Sequence, residues 1–453
     1  MPPVRSGIAA NSAELVPVLA ERYLIDVFVD TPAPGARSAY DFPWLHRRRP
    51  YDLTVYQVGN SSHHNFLWPY LFRFPGLIVL HDVHLHHARA ALLLTEGRTE
   101  QYRAEFSANH PEANADLAEL AVGGFDSYLY YMWPMTRLVV QAARMVGVHS
   151  RGMADRLAAE VPGAQLDVIR LTQGTTVTPG DEARARAQVR ARHGLSPDAV
   201  LFGVFGGLTP EKRIPQILDA FAATRPAAPA AHLLLAGARA PQYDTAADVQ
   251  RRGLEEHVTI TGYLETDDEL TDTIAACDTV VNLRWPTARE MSGPWLRALA
   301  AGKPTITIDL AHLWDVPSLD PRTWLLNDSG ALHPTSGLPG TRAPGHPAAV
   351  TVAIDILDED HSLRLTMRRL ATDSALRASL GSAARRHWQQ EHSLEHSLAD
   401  YHRVIARALD RETPRPALPP HLTNAGDRTL RSLLERCGVP VPLEYTFADS
   451  TER

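Results

Sequence analysis

Cysteine is nearly absent. The 453 residues carry two, Cys277 and Cys437, which excludes a disulfide framework and a cysteine-built zinc site and fits a reducing compartment, the cytoplasm. No apolar run approaches the roughly 18 residues that a membrane span requires. The opening residues MPPVRSGIAANSAE hold no apolar core of a secretory signal. A cytoplasmic protein with at most peripheral membrane contact is the expectation. There is no excess of positive charge either: 45 Lys and Arg against 52 Asp and Glu leave a net charge of −7, which argues against general nucleic-acid binding. Also missing are a Ser-His-Asp order, a Gly-x-Ser-x-Gly elbow, a His-Glu-x-x-His pair and a Walker sequence. No Asp-x-Asp pair stands at a strand end to hold a diphosphate through a metal, so neither a metal nor a resident cofactor is expected. A dehydrogenase is disfavoured, because no Gly-x-Gly-x-x-Gly follows an early strand.

What is present is a 44% hydrophobic chain in which short apolar runs alternate with helical stretches, the pattern of parallel α/β sheets. Strands are expected at residues 23–30, 52–58, 77–80, 146–150 and 166–169, then in a second unit at 199–205, 232–237, 258–262, near 280–281 and at 305–308. Residues 4–9 read as a loop, followed by a helix over 12–22. Such a loop normally follows a strand, and the residues ahead of it leave no room for one. Residues 84–146 and 348–409 read as mostly helical, 329–347 as a Gly/Pro-rich loop, and the Pro-rich tail from 411 as a linker with a short helix over 427–437. Ligands of parallel sheets bind at the carboxyl ends of strands, which singles out Asn60 after the second strand, His81-Asp82 after the third and His149 after the fourth.

Two loops of the second unit carry the stronger signals. Gly206-Gly207 follows a buried strand, with Lys212 five residues on. Glycines let backbone N–H groups approach a phosphate and lysine adds a point charge, although most such turns are only turns. Arg213 reads as a second phosphate contact or as a solvated side chain. Later, Ser292-Gly293-Pro294 opens a helix, and a helix amino terminus accepts phosphate. Glu290 just ahead of it can accept hydrogen bonds from sugar hydroxyls. Arg297 could contact ribose or phosphate, or pair with a carboxylate. His81 could bind a substrate hydroxyl or be satisfied by Asp82. The run His81, His84, His86, His87 lacks the spacing of a zinc site.

These residues together resemble the GT-B glycosyltransferases, specifically the large retaining family 4. Gly206-Gly207-Leu208 with Glu211-Lys212 is similar to that family's donor loop G-R-L-x-x-E-K-G, with Gly207 in place of its Arg and Arg213 in place of its last Gly. Residues 290–304 resemble its Glu-x7-Glu segment and E-A-x-A-x-G-x-P ending; aligned on Ala298 to Pro304, the first glutamate falls on Arg289, next to Glu290, and the second on Arg297. Residues 4–9, with Gly7, resemble its amino-terminal glycine loop, ahead of which family members have a strand; either the chain starts further upstream or the first sheet lacks a central strand. His81 matches its first-domain histidine near the transferred sugar.

The resemblance implies an α/β fold of two Rossmann-like domains facing across a cleft: an acceptor-side domain over 1–172, a nucleotide-sugar-binding domain over 173–392, a helix over 393–410 crossing back, and a tail over 411–453. It implies a metal-independent retaining hexosyltransferase, with His81, Glu290 and Lys212 as catalytic residues. Donor contacts would come from Gly206, Gly207, Lys212, Arg213, Glu290, Ser292, Gly293 and Arg297, and acceptor-side contacts from Gly7, Asn60 and His149. The partners would be a nucleotide-sugar donor and a hydroxyl acceptor, be it a sugar, a lipid-linked sugar or a small molecule. The alternatives are a nucleotide-sugar epimerase of the same fold and a glycosyltransferase-like binding protein.

Overall fold

The computed structural model describes the chain except residues 3, 5, 126–127, 242, 288–289, 309–315, 328–347, 424–433, 435 and 439–453. The expected loop at 329–347 and most of the expected helix at 427–437 lie outside the described residues. Two parallel sheets organise the rest. In the first, β3 (Val55–Val58), β4 (Leu77–Leu80), β5 (Met145–Val148) and β6 (Leu166–Val168) stand side by side in that order. They follow a separate two-stranded pair, β1 (Phe28–Val29) and β2 (Arg37–Ser38). Every residue of β4 and β5 is buried, as apolar strands covered by helices on both faces must be.

The second sheet is larger. Its strands are β7 (Leu201–Phe205), β8 (His232–Ala236), β9 (Val258–Gly262), β10 (Thr279–Val281), β11 (Thr305–Ile308), β12 (Ser318–Leu319) and β13 (Thr351–Ile354). They are ordered β12-β13-β11-β10-β7-β8-β9, with all pairs parallel. Helices cover both faces: Ile214–Thr224 and Glu359–Thr372 pack on one, Pro179–Arg192 and Asp267–Ala276 on the other.

The sequence reading needs three corrections. The helix expected from residue 12 begins at Gly7 and ends at Leu19, because Ser6 caps it by accepting the Ala9 N–H at 3.1 Å. Within residues 348–409 lies β13, a run of β-branched residues paired with β11 and β12. The strand expected at 23–30 is reduced to Phe28–Val29, which pairs with Arg37–Ser38 and not with the main sheet; Leu24 is 92% exposed.

The chain returns to the first sheet after completing the second. The Leu394–Leu409 helix lays Tyr401, Val404, Ile405 and Ala408 against Leu77, Val79 and Met145, next to Leu15 and Leu19 of the first helix. Asp400 on it accepts from Arg170 Nε at 2.7 Å. Residues 86–135 form a helical layer with its own core around Leu93, Tyr102, Phe106 and Met135. This layer disperses the histidine run: His86 is fully buried between the Trp133 carbonyl and the Tyr102 hydroxyl. Among the described residues no helix is long and apolar enough to cross a membrane.

Candidate active site

The carboxyl edges of the two sheets meet around a cavity of about 420 Å³, lined by Gly7, Asn60, His81 and Asp82 from the first unit and by Arg284, Glu290, Met291 and Gly293 from the second. Of the expected donor contacts, Glu290 and Gly293 line it, whereas Gly206, Gly207, Lys212 and Ser292 do not and belong to the loops beside it. After β7 the backbone turns through Gly206 at φ 102°, a conformation that favours glycine. The turn lies so close to the end of β8 that a Cβ on Gly237 would stand 1.9 Å from the Gly206 carbonyl oxygen. The Lys212 side chain folds back over this turn, its Nζ 3.5 Å from where a Gly206 Cβ would be. The neighbouring loop is tied to it by the Trp285 N–H, which donates to the Glu211 carbonyl at 2.8 Å.

In that loop, three residues past β10, Arg284 pairs through Nε with Glu290 Oε1 at 2.5 Å, and Thr287 Oγ1 donates to Glu290 Oε2 at 3.2 Å. The Gly293–Ala300 helix follows. Ser292 caps it by accepting the Trp295 N–H at 3.4 Å and donates its own hydroxyl to Asn282 Oδ1 at 2.9 Å. Trp295 anchors the helix: it is fully buried and its Nε1 donates to Thr305 Oγ1 at 3.2 Å. Gln173, in the connection between the sheets, reaches across the cavity. Its Nε2 donates to the Gly7 carbonyl at 2.9 Å, and its Oε1 would stand 2.0 Å from a Cβ on residue 293. A Cβ there would push the Gln173 amide out of its present position.

The charges form one coupled group. Burial, the nearby Arg284 and, in opposition, Glu290 bring Lys212 down to about 8. Burial and the charge of Glu290 lift Asp82 to about 6, against the Asn60 N–H, which donates to Asp82 Oδ2 at 2.7 Å. Burial opposes the charge of Arg284, but Glu290 and Asp82 more than offset it and hold the guanidinium above its ordinary value. Arg284, Asp82 and Glu290 therefore face one hollow beside a helix amino terminus with its own positive dipole end, while Lys212 does not line it and joins the group through the charges of Arg284 and Glu290.

His81 is placed differently from its expected reach toward a substrate. Its Nε2 lies 2.7 Å from the Gln57 side-chain amide and its Nδ1 2.9 Å from His149 Nε2. Burial and then the neighbouring His149 push His81 well below its ordinary value, and burial pushes His149 to about 4, so both rings are neutral at pH 7. His149 Nδ1 can only donate to the Ile169 carbonyl, at 2.8 Å. Its Nε2 then accepts from His81 Nδ1, and the Gln57 amide NH2 must face His81 Nε2. Both ring nitrogens of His81 are thus taken up inside the protein, and His149 stands behind it. Asn60 lines the cavity, its Oδ1 accepting the Ala88 N–H at 3.0 Å.

Two further expectations resolve. Arg213 occupies the left-handed region at φ 59° and its guanidinium grips the Glu359 carboxylate, Nε to Oε1 at 2.7 Å, so it points into its own domain and does not line the cavity. Arg297 takes the carboxylate option left open by its sequence: its Nη2 lies 3.4 Å from Glu14 Oε1 on the first helix and 3.2 Å from Asp267 Oδ1. Asp82, singled out with His81 at its strand end, does line the cavity, whereas sequence reasoning missed Arg284 and Gln173. Arg284 carried a readable signal, its place just past a strand's carboxyl end; Gln173 carried none.

Residues 199–327 match the family model described as "Glycosyl transferases group 1". No curated protein matches the chain in sequence. Among solved structures, sucrose-phosphate synthase from Thermosynechococcus elongatus aligns over 86% of this chain and 91% of its own, at 16% identity and a TM-score of 0.54. HepE of Anabaena, solved with UDP and glucose, aligns over 86% and 88% at 15% identity and 0.51. WaaG, a glycosyltransferase involved in lipopolysaccharide biosynthesis, aligns over 89% and 95% at 14% identity and 0.52. The chain therefore has the GT-B fold of two Rossmann-like domains, and its second domain carries the match to group 1 glycosyl transferases.

Proposed function

We propose that this protein is a retaining, metal-independent glycosyltransferase that moves a hexose from a nucleotide-diphosphate sugar to a hydroxyl acceptor. The observation that carries the reading is the meeting of Arg284 and the Gly293 start of the Ser292-capped helix with Asp82 and Glu290 on one cavity, with Lys212 outside its lining but close enough to feel the charges of Arg284 and Glu290. Departure of a diphosphate places developing negative charge at one point, and preorganised positive groups there stabilise the transition state more than the ground state. Lys212 and the Gly293 N–H region take the phosphates. Glu290, held by Arg284 and Thr287, accepts hydrogen bonds from the sugar hydroxyls. The acceptor enters from the side of Gly7, Asn60 and Asp82. In a front-face displacement the departing phosphate oxygen takes the acceptor proton, so the protein's share is positioning and charge. His81, locked and neutral, serves as a fixed wall beside Asp82.

HepE is solved with UDP and glucose, which supports a uridine donor as the first to try. The test is nucleoside diphosphate release with a panel of nucleotide sugars and hydroxyl acceptors, followed by the anomeric configuration of the product. Release only with acceptor and retained configuration are expected; isomerised donor without acceptor would replace the reading with an epimerase. The engagement of Arg297 by Glu14 and Asp267, at the position where the resembled family has a glutamate, favours a binding protein as second reading. Calorimetric donor binding with no diphosphate release for any acceptor would establish it.

A further inference from the structure

The half of the active-site cavity that belongs to the first unit has a chemistry of its own. Among the described residues no lysine or arginine of that unit lines it. Its carboxylate is Asp82, which titrates at about 6 and is ionised at pH 7. Asp82 Oδ2 accepts the Asn60 N–H at 2.7 Å, and among the described residues nothing donates to Oδ1. His64 also lines the cavity. Its Nδ1 lies 3.0 Å from the Gln57 carbonyl and so carries the ring proton. Burial brings His64 down to about 4, so the ring is neutral at pH 7 and Nε2 is an acceptor. The two side chains flank Gly59: a Cβ there would stand 3.0 Å from His64 Nε2 and 3.2 Å from Asp82 Oδ2. This wall takes hydrogen bonds more than it gives them. The start of the Gly7–Leu19 helix is the exception. Gln173 ties it to Gly293, donating to the Gly7 carbonyl at 2.9 Å while its Oε1 crowds residue 293, so that positive end faces the proposed diphosphate.

An aromatic ring completes the wall. Tyr131, from the helical layer, lines the same cavity. His87 meets it edge to face, with ring centres 4.7 Å apart at 68°. His87 Nδ1 lies 3.3 Å from Asn60 Nδ2, so the pair is braced against the end of β3. Tyr131 is close enough to the opposite loops to feel the charges of Arg284, Glu211 and Glu290. A ligand ring beside it therefore lies next to the sugar that Glu290 is proposed to hold. Hydroxyl groups can donate to a carboxylate and to an imidazole nitrogen. A phosphate or carboxylate brings acceptors alone and a charge of the same sign as Asp82. The C–H face of a saturated ring is apolar and packs on an aromatic one, and an apolar body fixed by a few placed polar groups is the usual form of a small-molecule site.

We propose that this wall selects an uncharged cyclic polyol as acceptor, a pyranose or a cyclitol, with Asp82 Oδ1 and His64 Nε2 accepting from neighbouring hydroxyls and the Tyr131 ring covering its C–H face. The inference rests on the transfer reaction proposed above and adds the class of acceptor. It makes Tyr131 and His64 specificity residues and excludes phosphorylated and acidic sugars.

The test pairs binding with turnover. Saturation-transfer NMR in the presence of UDP reads binding of methyl glucoside and myo-inositol against glucose 6-phosphate and methyl glucuronide; nucleoside diphosphate release from a nucleotide-sugar panel reads transfer to the same four. The neutral pair should be preferred by about 10-fold or more, the effect of one uncompensated like-charge contact, and the two neutral arms separate a sugar from a cyclitol. Asp82→Asn should narrow that gap, which a general loss of folding would not do. Tyr131→Ala should raise the acceptor KM, or dissociation constant, about 3- to 10-fold with kcat little changed; Tyr131→Phe keeps the ring and should stay within about twofold. Acidic sugars that bind and react as well as neutral ones overturn the inference and leave the transfer reaction standing. Neutral sugars that bind selectively with no diphosphate release from any donor uphold the polyol site and overturn transfer. Binding of neither class, or a folded Tyr131→Ala variant with wild-type acceptor affinity, overturns the inference.

Discussion

Removing the Lys212 ammonium should separate binding from stability. In the free protein the side chain lies over the Gly206 turn, and burial and Arg284 hold it near 8 against an ordinary value of 10.5. The sign of the linkage follows. The folded state disfavours the charged form, so the penalty on stability is fully present below pH 8 and fades as pH rises toward 10.5. Lys212→Ala removes that penalty, so at pH 7 the melting temperature should stay level or rise. Donor affinity should move the other way. A hydrogen bond to a charged group contributes about 1.5–3 kcal/mol, so loss of one phosphate contact should weaken nucleoside diphosphate binding about 10- to 150-fold. In wild type the affinity should decline as pH rises above about 8, because the neutral amine no longer attracts the diphosphate. Calorimetry on both proteins, with UDP as first ligand and pH stepped from 6.5 to 9.5, gives both quantities. A dissociation constant within twofold of wild type would refute the reasoning. So would a variant that loses affinity only because its melting temperature has collapsed.

The remaining predictions concern other groups. Asp82 should ionise near pH 6, so the acid limb of the transfer-rate profile should lie there and shift or vanish in Asp82→Asn. Glu105 and Arg89 are a buried pair, 1% and 4% exposed, with His421 Nε2 at 2.8 Å and the Trp68 ring over the guanidinium; Glu105→Ala strands a buried cation and should cost about 3–5 kcal/mol in denaturant unfolding. Arg213→Gly should change stability by less than about 1.5 kcal/mol, because loss of the Glu359 pair is offset by relief of a left-handed backbone worth roughly 1–2 kcal/mol. A double-mutant cycle between Glu14 and Arg297 should show a coupling of about 0.5–1.5 kcal/mol that falls with added salt, since Glu14 is only half-buried; zero coupling would mean that the contact contributes nothing to holding the domains together.

The second sheet was the more legible half. Its strands β7, β8, β9 and β11 are unbroken apolar or β-branched runs, each closed by polar or small residues, and local pattern suffices for such elements. β13 was not, because a four-residue strand beside long helices has too few periods to announce itself. Residues 23–29 failed for the opposite reason: the local pattern is a strand, but a strand needs a neighbour, and the sheet supplies none there. At the site, glycines and the serine cap could be read because they act through their own backbone. Arg297 could not, since its partner Glu14 lies 283 positions earlier. Nor could the condition of His81, which depends on Gln57 and His149 meeting it from two other strands.

The return of the chain to the first sheet has a mechanical outcome. Residues 171–173 and 388–392 pass between the domains side by side, stitched by Trp388 Nε1 to the Gln173 carbonyl at 3.0 Å and His392 Nδ1 to the Leu171 carbonyl at 2.9 Å. A single connecting thread would let one lobe swivel freely about it. Two threads bonded together remove that twist and leave bending about one line, like a door on two pins. Any opening about that line would close again on the same alignment, with Asp82 brought back to the cavity it shares with Glu290.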